Sequence, residues 1–353
     1  MKSVQLFSTV GLKLDTITPM NERARINTGF LCNYGCEFCY YKDKLDQRDS
    51  FEQIKERIDD VIRYGINQVD LSGGESSIEP NWFKILDYCS SKNLYISTLS
   101  HGGKFCDYEF LKKSKEHGLK EILFSLHGSS EEVHDSITKR KGSFNKIITA
   151  IKNAKSLNIL VRINCTVYDK NHLFLENEYV QLLTELNPFE INFICLNYDT
   201  DNSTFRQIDY SIITNSIKKC IDKIQFIKYI NVRYVPYCYM IGYEKYVVNY
   251  YQHIYDIYDW NLAIYNHEIN TNITYDKIEK LRQSYDAAKH FRLNGYNKSK
   301  ECKQCKFFFI CDGIEKQLSN NKFYPVNGTY INEINYFRKG FYENKTINSD
   351  FNT

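Results

Sequence analysis

The apolar positions keep one rhythm over the first two thirds of the chain. Short apolar runs at 25–31, 68–71, 94–99, 121–126, 159–167 and 191–196 predict six strands. Between them the spacing lengthens to helical intervals. Phe51, Ile54, Ile58, Val61 and Ile62 recur every three or four residues, and Phe144, Ile147, Ile148 and Ile151 do the same behind a start at Gly142-Ser143. Further helices are predicted over 82–89, 108–117, 179–186 and near 212–224. Such alternation implies parallel strands joined by right-handed helical crossovers. Six units are fewer than the eight of a closed barrel. The expected fold is therefore α/β, an open, partial (β/α)6 TIM-like barrel with its chemistry at the C-terminal ends of the strands.

The rhythm stops near Arg233. Tyrosines crowd 234–258, no further strand–helix unit is legible, and cysteines return at 302–311. The expected division is a core over 1–230 and a small auxiliary domain over 231–353, with a polar, frayed tail after Gly340. Tyr243, Tyr246, Tyr250, Tyr251, Tyr255 and Tyr258 roughly follow helical spacing and are read first as packing. A substrate-gripping or radical-relaying role is the alternative.

Composition narrows the class. The 353 residues can bury a large core. Forty-six basic and 43 acidic residues leave +3, too balanced to predict a nucleic-acid partner. No segment approaches the roughly 20 apolar residues of a membrane span, and 1–15 lacks the apolar run of a signal peptide. Twelve cysteines without such a signal point to a reducing cytoplasm and to metal ligation rather than disulfides.

The cysteines that carry chemistry begin with Cys32-Asn33-Tyr34-Gly35-Cys36-Glu37-Phe38-Cys39-Tyr40. A [4Fe–4S] cluster normally takes four thiolates. Three in one short loop leave one iron open, as a catalytic zinc keeps one position for water. A zinc knuckle on Cys36 and Cys39 is the alternative, but no other Cys and no His flanks the loop at 26–31 or 40–46. Ser72-Gly73-Gly74-Glu75 ends the second strand; glycines let a chain pass close to a ligand, and Glu75 is a charge-assisted acceptor for an ammonium. Alone, Gly-Gly-Glu is an ordinary turn.

The pattern Cys-x3-Cys-x-aromatic-Cys after strand one, with Gly-Gly-Glu after strand two, resembles the radical S-adenosylmethionine (SAM) enzymes over roughly 25–230. The resemblance implies a [4Fe–4S] cluster on Cys32, Cys36 and Cys39, whose open iron chelates the amino and carboxylate groups of SAM. Reductive cleavage then yields methionine and a 5′-deoxyadenosyl radical. It also implies SAM contacts at Phe38, Gly73, Gly74 and Glu75, at Ser125 ending strand four, and at Asn164 on strand five. Arg140 is the candidate for the SAM carboxylate, because a guanidinium forks onto carboxylates; a solvated basic run is its other reading. His127 and Tyr198 are substrate-side candidates, and a structural role is the other reading of His127.

Cys302-x2-Cys305-x5-Cys311 is a second metal motif, with Cys238 as its expected fourth ligand. It resembles the SPASM extension of radical SAM enzymes over about 234–315, departing where Glu315 stands in place of the last cysteine. Four thiolates can close one cluster, so the single-cluster, twitch-like version is nearer and a second [4Fe–4S] auxiliary cluster is implied; a structural zinc is the alternative. The remaining cysteines are read as small core residues, with Cys220 as a reserve ligand.

The function implied is hydrogen-atom abstraction by a radical SAM oxidoreductase, leaning to oxidative maturation of a ribosomal peptide. Oxidation of a sugar or other small metabolite is the alternative. A reductant such as flavodoxin or ferredoxin is expected. So is a separate leader-peptide-binding protein, since about 24 residues ahead of strand one are too few for such a domain. From another class, a non-catalytic iron–sulfur or zinc scaffold or sensor fits the same cysteines.

Overall fold

The computed structural model describes residues 6–7, 11–16, 18–197, 207–265, 277–318 and 320–341. The chain divides into two compact units, Ala24–Arg233 and Met1–Arg23 with Tyr234–Thr353.

The first unit is a partial barrel. Its strands are β1 (Arg23–Asn27), β2 (Gln68–Ser72), β3 (Tyr95–Ser100), β4 (Leu119–Ser125), β5 (Leu160–Val167), β6 (Glu190–Cys195) and β7 (Tyr229–Arg233), neighbours in sheet order as in sequence. Pairing is parallel from β2 to β7. Its helices are α1 (Phe51–Arg63), α2 (Trp82–Ser91), α3 (Tyr108–Glu116), α4 (Glu131–Thr138), α5 (Ser143–Ser156), α6 (Val180–Leu186) and α7 (Tyr210–Lys223). α1 starts in a capping box in which Ser50 and Gln53 bond each other's backbone amides, and it buries Ile54, Ile58 and Val61.

Three departures from the sequence reading have local causes. The approach to the cysteines was expected as strand over 25–31, but β1 ends at Asn27: Thr28 N still reaches Ser72 O of β2 (2.8 Å), whereas Phe30 N turns aside to Gln47 O (2.9 Å). Residues Glu131–Thr138, where no helix was expected, form α4, capped by Ser130. Gly142 stands at the start of α5 but has no side chain to cap it. Asp135 does so instead, accepting from Ser143 Oγ (2.7 Å) and Phe144 N (2.9 Å). Finally, the barrel has a seventh strand. β7 has no βα unit behind it, and all five of its residues are buried, so it shows no alternation to read.

Register sorts the residues between the strands and the barrel interior into layers. Ile163, Cys165 and Val167 of β5 are fully buried on one face, and Arg162, Asn164 and Thr166 take the other. Leu123, Arg162, Glu190 and Tyr229 share one rung across β4–β7, and Ser125, Asn164, Asn192 and Asn231 share the next toward the C-terminal ends. In the lower layer Arg162 donates to Glu121 Oε1 (2.6 Å) and, through Nη2, to Glu190 Oε1 (2.9 Å), all three being at most 1% exposed. Burial opposes the charge on Arg162, but Glu190 and Glu121 together push its pKa further up. Arg162→Met strands two carboxylates in the interior. The expected loss is about 3–5 kcal/mol of unfolding free energy, read from denaturant midpoints; a change below about 1 kcal/mol overturns that account.

In the second unit, Lys13 N bonds Asn332 O (2.7 Å), Asn21 N bonds Ile254 O (2.9 Å) and Asn261 N bonds Arg23 O (2.7 Å). These bonds explain why the first 23 residues group with the C-terminal segment and not with the core expected over 1–230. The unit also holds the helix Lys277–Gly295 and a hairpin pairing Tyr296–Asn297 with Ile314–Glu315. The tyrosine stripe is not one helix: it runs through short 3-10, strand and α pieces. Tyr251, Tyr255 and Tyr258 are buried, and Tyr251 stacks on Tyr285 at 5.1 Å.

Candidate functional site

β1 delivers the chain into the loop of Cys32, Cys36 and Cys39, all three free thiols. Backbone bonds hold this loop on two sides. Cys32 N donates to Leu45 O (3.0 Å), while Gly35 N and Glu37 N donate to Thr138 O and Ile137 O at the end of α4 (both 3.1 Å). The Glu37 carboxylate adds a side-chain anchor, accepting from Tyr168 Oη, Lys170 Nζ (2.6 Å) and Lys139 Nζ (2.9 Å). Burial opposes its charge, but those donors keep its pKa below the ordinary carboxylate range.

Amides point at the sulfurs. Tyr41 N lies 3.4 Å from Cys39 Sγ, and the amides of Tyr34 and Asn33 favour the Cys32 thiolate. Burial nevertheless pushes Cys32 up to about 11 and Cys36 up to about 12. Such thiols become thiolates only when a cation pays that cost.

The Gly-Gly-Glu turn presses onto the same loop. Gly74 N donates to Gly29 O (3.0 Å) and Glu75 N to Leu31 O (2.8 Å). A Cβ on Gly73, at φ +124°, would lie 2.0 Å from Gly29 O, and one on Gly74 would lie 2.2 Å from Leu31 O. Close approach does explain both glycines, but the surface approached is the backbone ahead of the cysteines. The Glu75 carboxylate, 2% exposed, accepts from Ser77 Oγ, Ser100 Oγ (2.7 Å) and His101 N (2.8 Å). The His101 ring also stands close, its Nε2 3.4 Å from Glu75 Oε2.

Of the other expected contacts, Ser125 and Asn164 stand paired on the C-terminal rung. Phe38 packs edge-on against His127 (4.9 Å) and Tyr168 (5.7 Å). Arg140 is exposed between α4 and α5, near enough to Tyr34 and His101 to favour the phenolate and oppose the imidazolium. His127 is buried: its Nδ1 accepts from Thr166 N (3.2 Å) and its amide donates to His134 Nδ1 (3.2 Å). Burial holds its pKa down near 3, and these bonds favour its structural reading. Tyr198 lies outside the described residues.

Sequence reasoning missed His101, which follows β3. Its ring stacks on Tyr34 at 3.6 Å, its Nε2 lies 2.9 Å from Asn33 Oδ1, and its Nδ1 accepts from Gly103 N (3.0 Å), so it joins the cysteine loop to the Glu75 cluster. Ser100-His101-Gly102-Gly103 at a strand end was the available signal. Asn192 and Asn231 were also missed, although Ile-Asn recurs at 163–164, 191–192 and 230–231.

In the second unit, Cys238, Cys302, Cys305 and Cys311 all line one recess, with Lys298, Phe307 and Phe308. Cys305 N donates to Cys302 O (3.0 Å), repeating the bond from Cys39 N to Cys36 O (3.0 Å). Val326 N lies 3.4 Å from Cys305 Sγ and Ser299 Oγ 3.5 Å from Cys302 Sγ. Cys220 is buried on α7 in the first unit. Among the described residues, no three His, Cys, Asp or Glu side chains are placed to share one metal ion.

Residues 26–172 match the Radical SAM superfamily. The chain is 33% identical over 156 residues to "Antilisterial bacteriocin subtilosin biosynthesis protein AlbA" of Bacillus subtilis (strain 168), covering 43% of this chain and 35% of that relative. It is 29% identical over 143 residues to "Fe-coproporphyrin III synthase" of Methanosarcina barkeri (strain Fusaro / DSM 804), covering 40% and 35%. The chain thus spans about a third of the length of these curated relatives. The solved structure "Native anSMEcpe with bound AdoMet and Kp18Cys peptide" is similar at a TM-score of 0.57 and 17% identity, over 91% of this chain and 96% of that one, a likeness that speaks to the fold. No helix among the described residues is long and apolar enough to cross a membrane.

Proposed function

We propose, from the premise that residues 26–172 form a radical SAM domain, that the chain cleaves SAM reductively and abstracts a hydrogen atom from a peptide substrate, as an oxidative maturase. The observation that carries this is the cysteine loop at the C-terminal end of β1, strapped by backbone bonds to the Gly-Gly-Glu turn after β2. Cys32, Cys36 and Cys39 would hold a [4Fe–4S] cluster, with amides facing their sulfurs as such ligands favour. When bound, that cluster and SAM supply one-electron cleavage of the sulfonium, giving methionine and a 5′-deoxyadenosyl radical. Glu75 would accept from the SAM ammonium, and Arg140 would face its carboxylate. Ser125 and Asn164 offer polar contacts from the C-terminal rung, while Phe38 covers His127.

Cys238, Cys302, Cys305 and Cys311 would hold a second [4Fe–4S] cluster with every iron capped by thiolate, suited to moving electrons and not to binding substrate. Among the described residues no three of these side chains are placed to share one metal ion, which favours a cubane over a zinc, whose thiolates must all lie about 2.3 Å from a single point. The twelve free cysteines and the oxygen sensitivity of such clusters suit a reducing cytoplasm, with flavodoxin or ferredoxin as electron source.

The peptide class is supported by the relative named for bacteriocin biosynthesis. The one named for a coproporphyrin synthase supports the second reading, a small metabolite. Anaerobic protein reconstituted with iron and sulfide, then given dithionite and SAM, is expected to release 5′-deoxyadenosine. None from a fully loaded protein would mean a non-catalytic scaffold. Deuterium transfer into 5′-deoxyadenosine from labelled peptide but not labelled metabolite separates the two substrate readings. Cys302→Ala/Cys305→Ala is expected to lose about four irons relative to the parent; an unchanged iron count removes the second cluster.

A further inference from the structure

The recess of the four C-terminal cysteines has a cation in its wall. Lys298 follows the strand Tyr296–Asn297, whose partner Ile314–Glu315 comes directly after Gly313. Gly313, at φ +103°, lets that hairpin close: a Cβ there would lie 2.1 Å from Asn297 O and 3.0 Å from Lys298 Cγ. The Lys298 ammonium lies 4.5 Å from the Phe308 ring centroid and donates to the Phe308 carbonyl. An ammonium has three protons, so two donors remain for the contents of the recess that Lys298 lines.

Two other charges, Arg292 and Asp312, stand nearby. Arg292 donates to Phe308 O (3.2 Å) and Phe309 O (3.1 Å), stacks on Tyr251 at 4.7 Å, and stands 3.7 Å from the buried Asp312. Burial, and after it Arg292, bring the Lys298 pKa down to about 8 against the opposing pull of Cys311, Asp312 and Cys302. Buried charges are ordinarily paired. The counter-charge that the recess can offer is the negative charge of four thiolates around a cluster.

We propose that Lys298 sets the reduction potential of the second cluster, its ammonium stabilising the added electron and so keeping the cluster easier to reduce. This rests on the reading of Cys238, Cys302, Cys305 and Cys311 as cluster ligands. Net charge near the sulfurs is one of the protein's levers on such potentials, and Lys298 supplies it from the wall of the recess. Lys298 is a positioning residue here, acting on the cluster and touching no substrate.

The test uses anaerobically loaded full-length protein. Parent, Lys298→Met and Lys298→Arg are compared by iron and sulfide content and by redox titration followed by electron paramagnetic resonance. Lys298→Met is expected to keep its iron while its second cluster becomes at least tenfold harder to reduce, a midpoint lower by about 59 mV for a one-electron couple. Lys298→Arg, which keeps the charge, is expected to stay near the parent. An unmoved midpoint in an iron-replete Lys298→Met overturns the proposal. Should Lys298→Met load poorly, Lys298→Gln gives the same reading with a polar side chain. A parent that holds only about four irons instead overturns the four-thiolate reading beneath it.

Discussion

Replacing any one of Cys32, Cys36 and Cys39 by alanine is expected to stop 5′-deoxyadenosine release while leaving the fold intact. Two thiolates cannot hold a cubane that needs three from this loop, so the loss should exceed the roughly 10–100-fold typical of disturbing only the groups behind metal ligands. The loop itself should survive. Its anchors are backbone bonds from Cys32, Gly35 and Glu37 and the Glu37 carboxylate on Lys139 and Lys170, none of which uses a sulfur. The checks are chromatography of anaerobic reactions, iron counts about four lower per chain, and an unchanged denaturant midpoint for the metal-free protein. A single alanine variant that keeps its iron and stays within tenfold of parental turnover would end the assignment.

Gly73→Ala should produce a loss of stability comparable to that of Arg162→Met. A side chain at φ +124° costs about 1–3 kcal/mol in backbone strain. The new Cβ would also lie 2.0 Å from Gly29 O, a fixed backbone atom with no rotamer to yield, and overpacking of this kind adds about 1–3 kcal/mol. Together they predict a loss on the order of 2–6 kcal/mol in chemical denaturation. Gly74→Ala isolates the steric part, since its clash is with Leu31 O (2.2 Å) and Phe30 O (2.4 Å) and its φ is not positive. Both variants should also load iron poorly, because the atoms displaced lead straight into Cys32. An unfolding midpoint unchanged in Gly73→Ala would show that the turn and the cysteine loop do not meet as described.

Several features were readable from spacing because they depend on neighbours a few residues away. α1 follows from Ser50, Gln53 and the Ile54–Ile58–Val61 stripe. The two Cys-x2-Cys turns close on their own local bonds, Cys39 N to Cys36 O and Cys305 N to Cys302 O. Other features had no local signature. The Glu75 carboxylate was expected to face a ligand amine, yet most of its capacity is spent on Ser77, Ser100 and His101, the last two 25 and 26 residues away. The Arg162–Glu121–Glu190 triad draws on three strands.

By itself, then, the order of residues determined the alternating elements, the thiol-bearing loop after the first strand and the glycine turn after the second. Periodicity and short-range hydrogen bonds are written within one element, so they are legible in one dimension. Only the tertiary structure decided that β7 extends the sheet, that Gly73 and Gly74 lie against the backbone of 29–31, and that Cys238 meets cysteines more than sixty residues further on. Those outcomes depend on which strands and loops come to lie side by side. That juxtaposition is set by the burial of whole faces, and no local spacing records it.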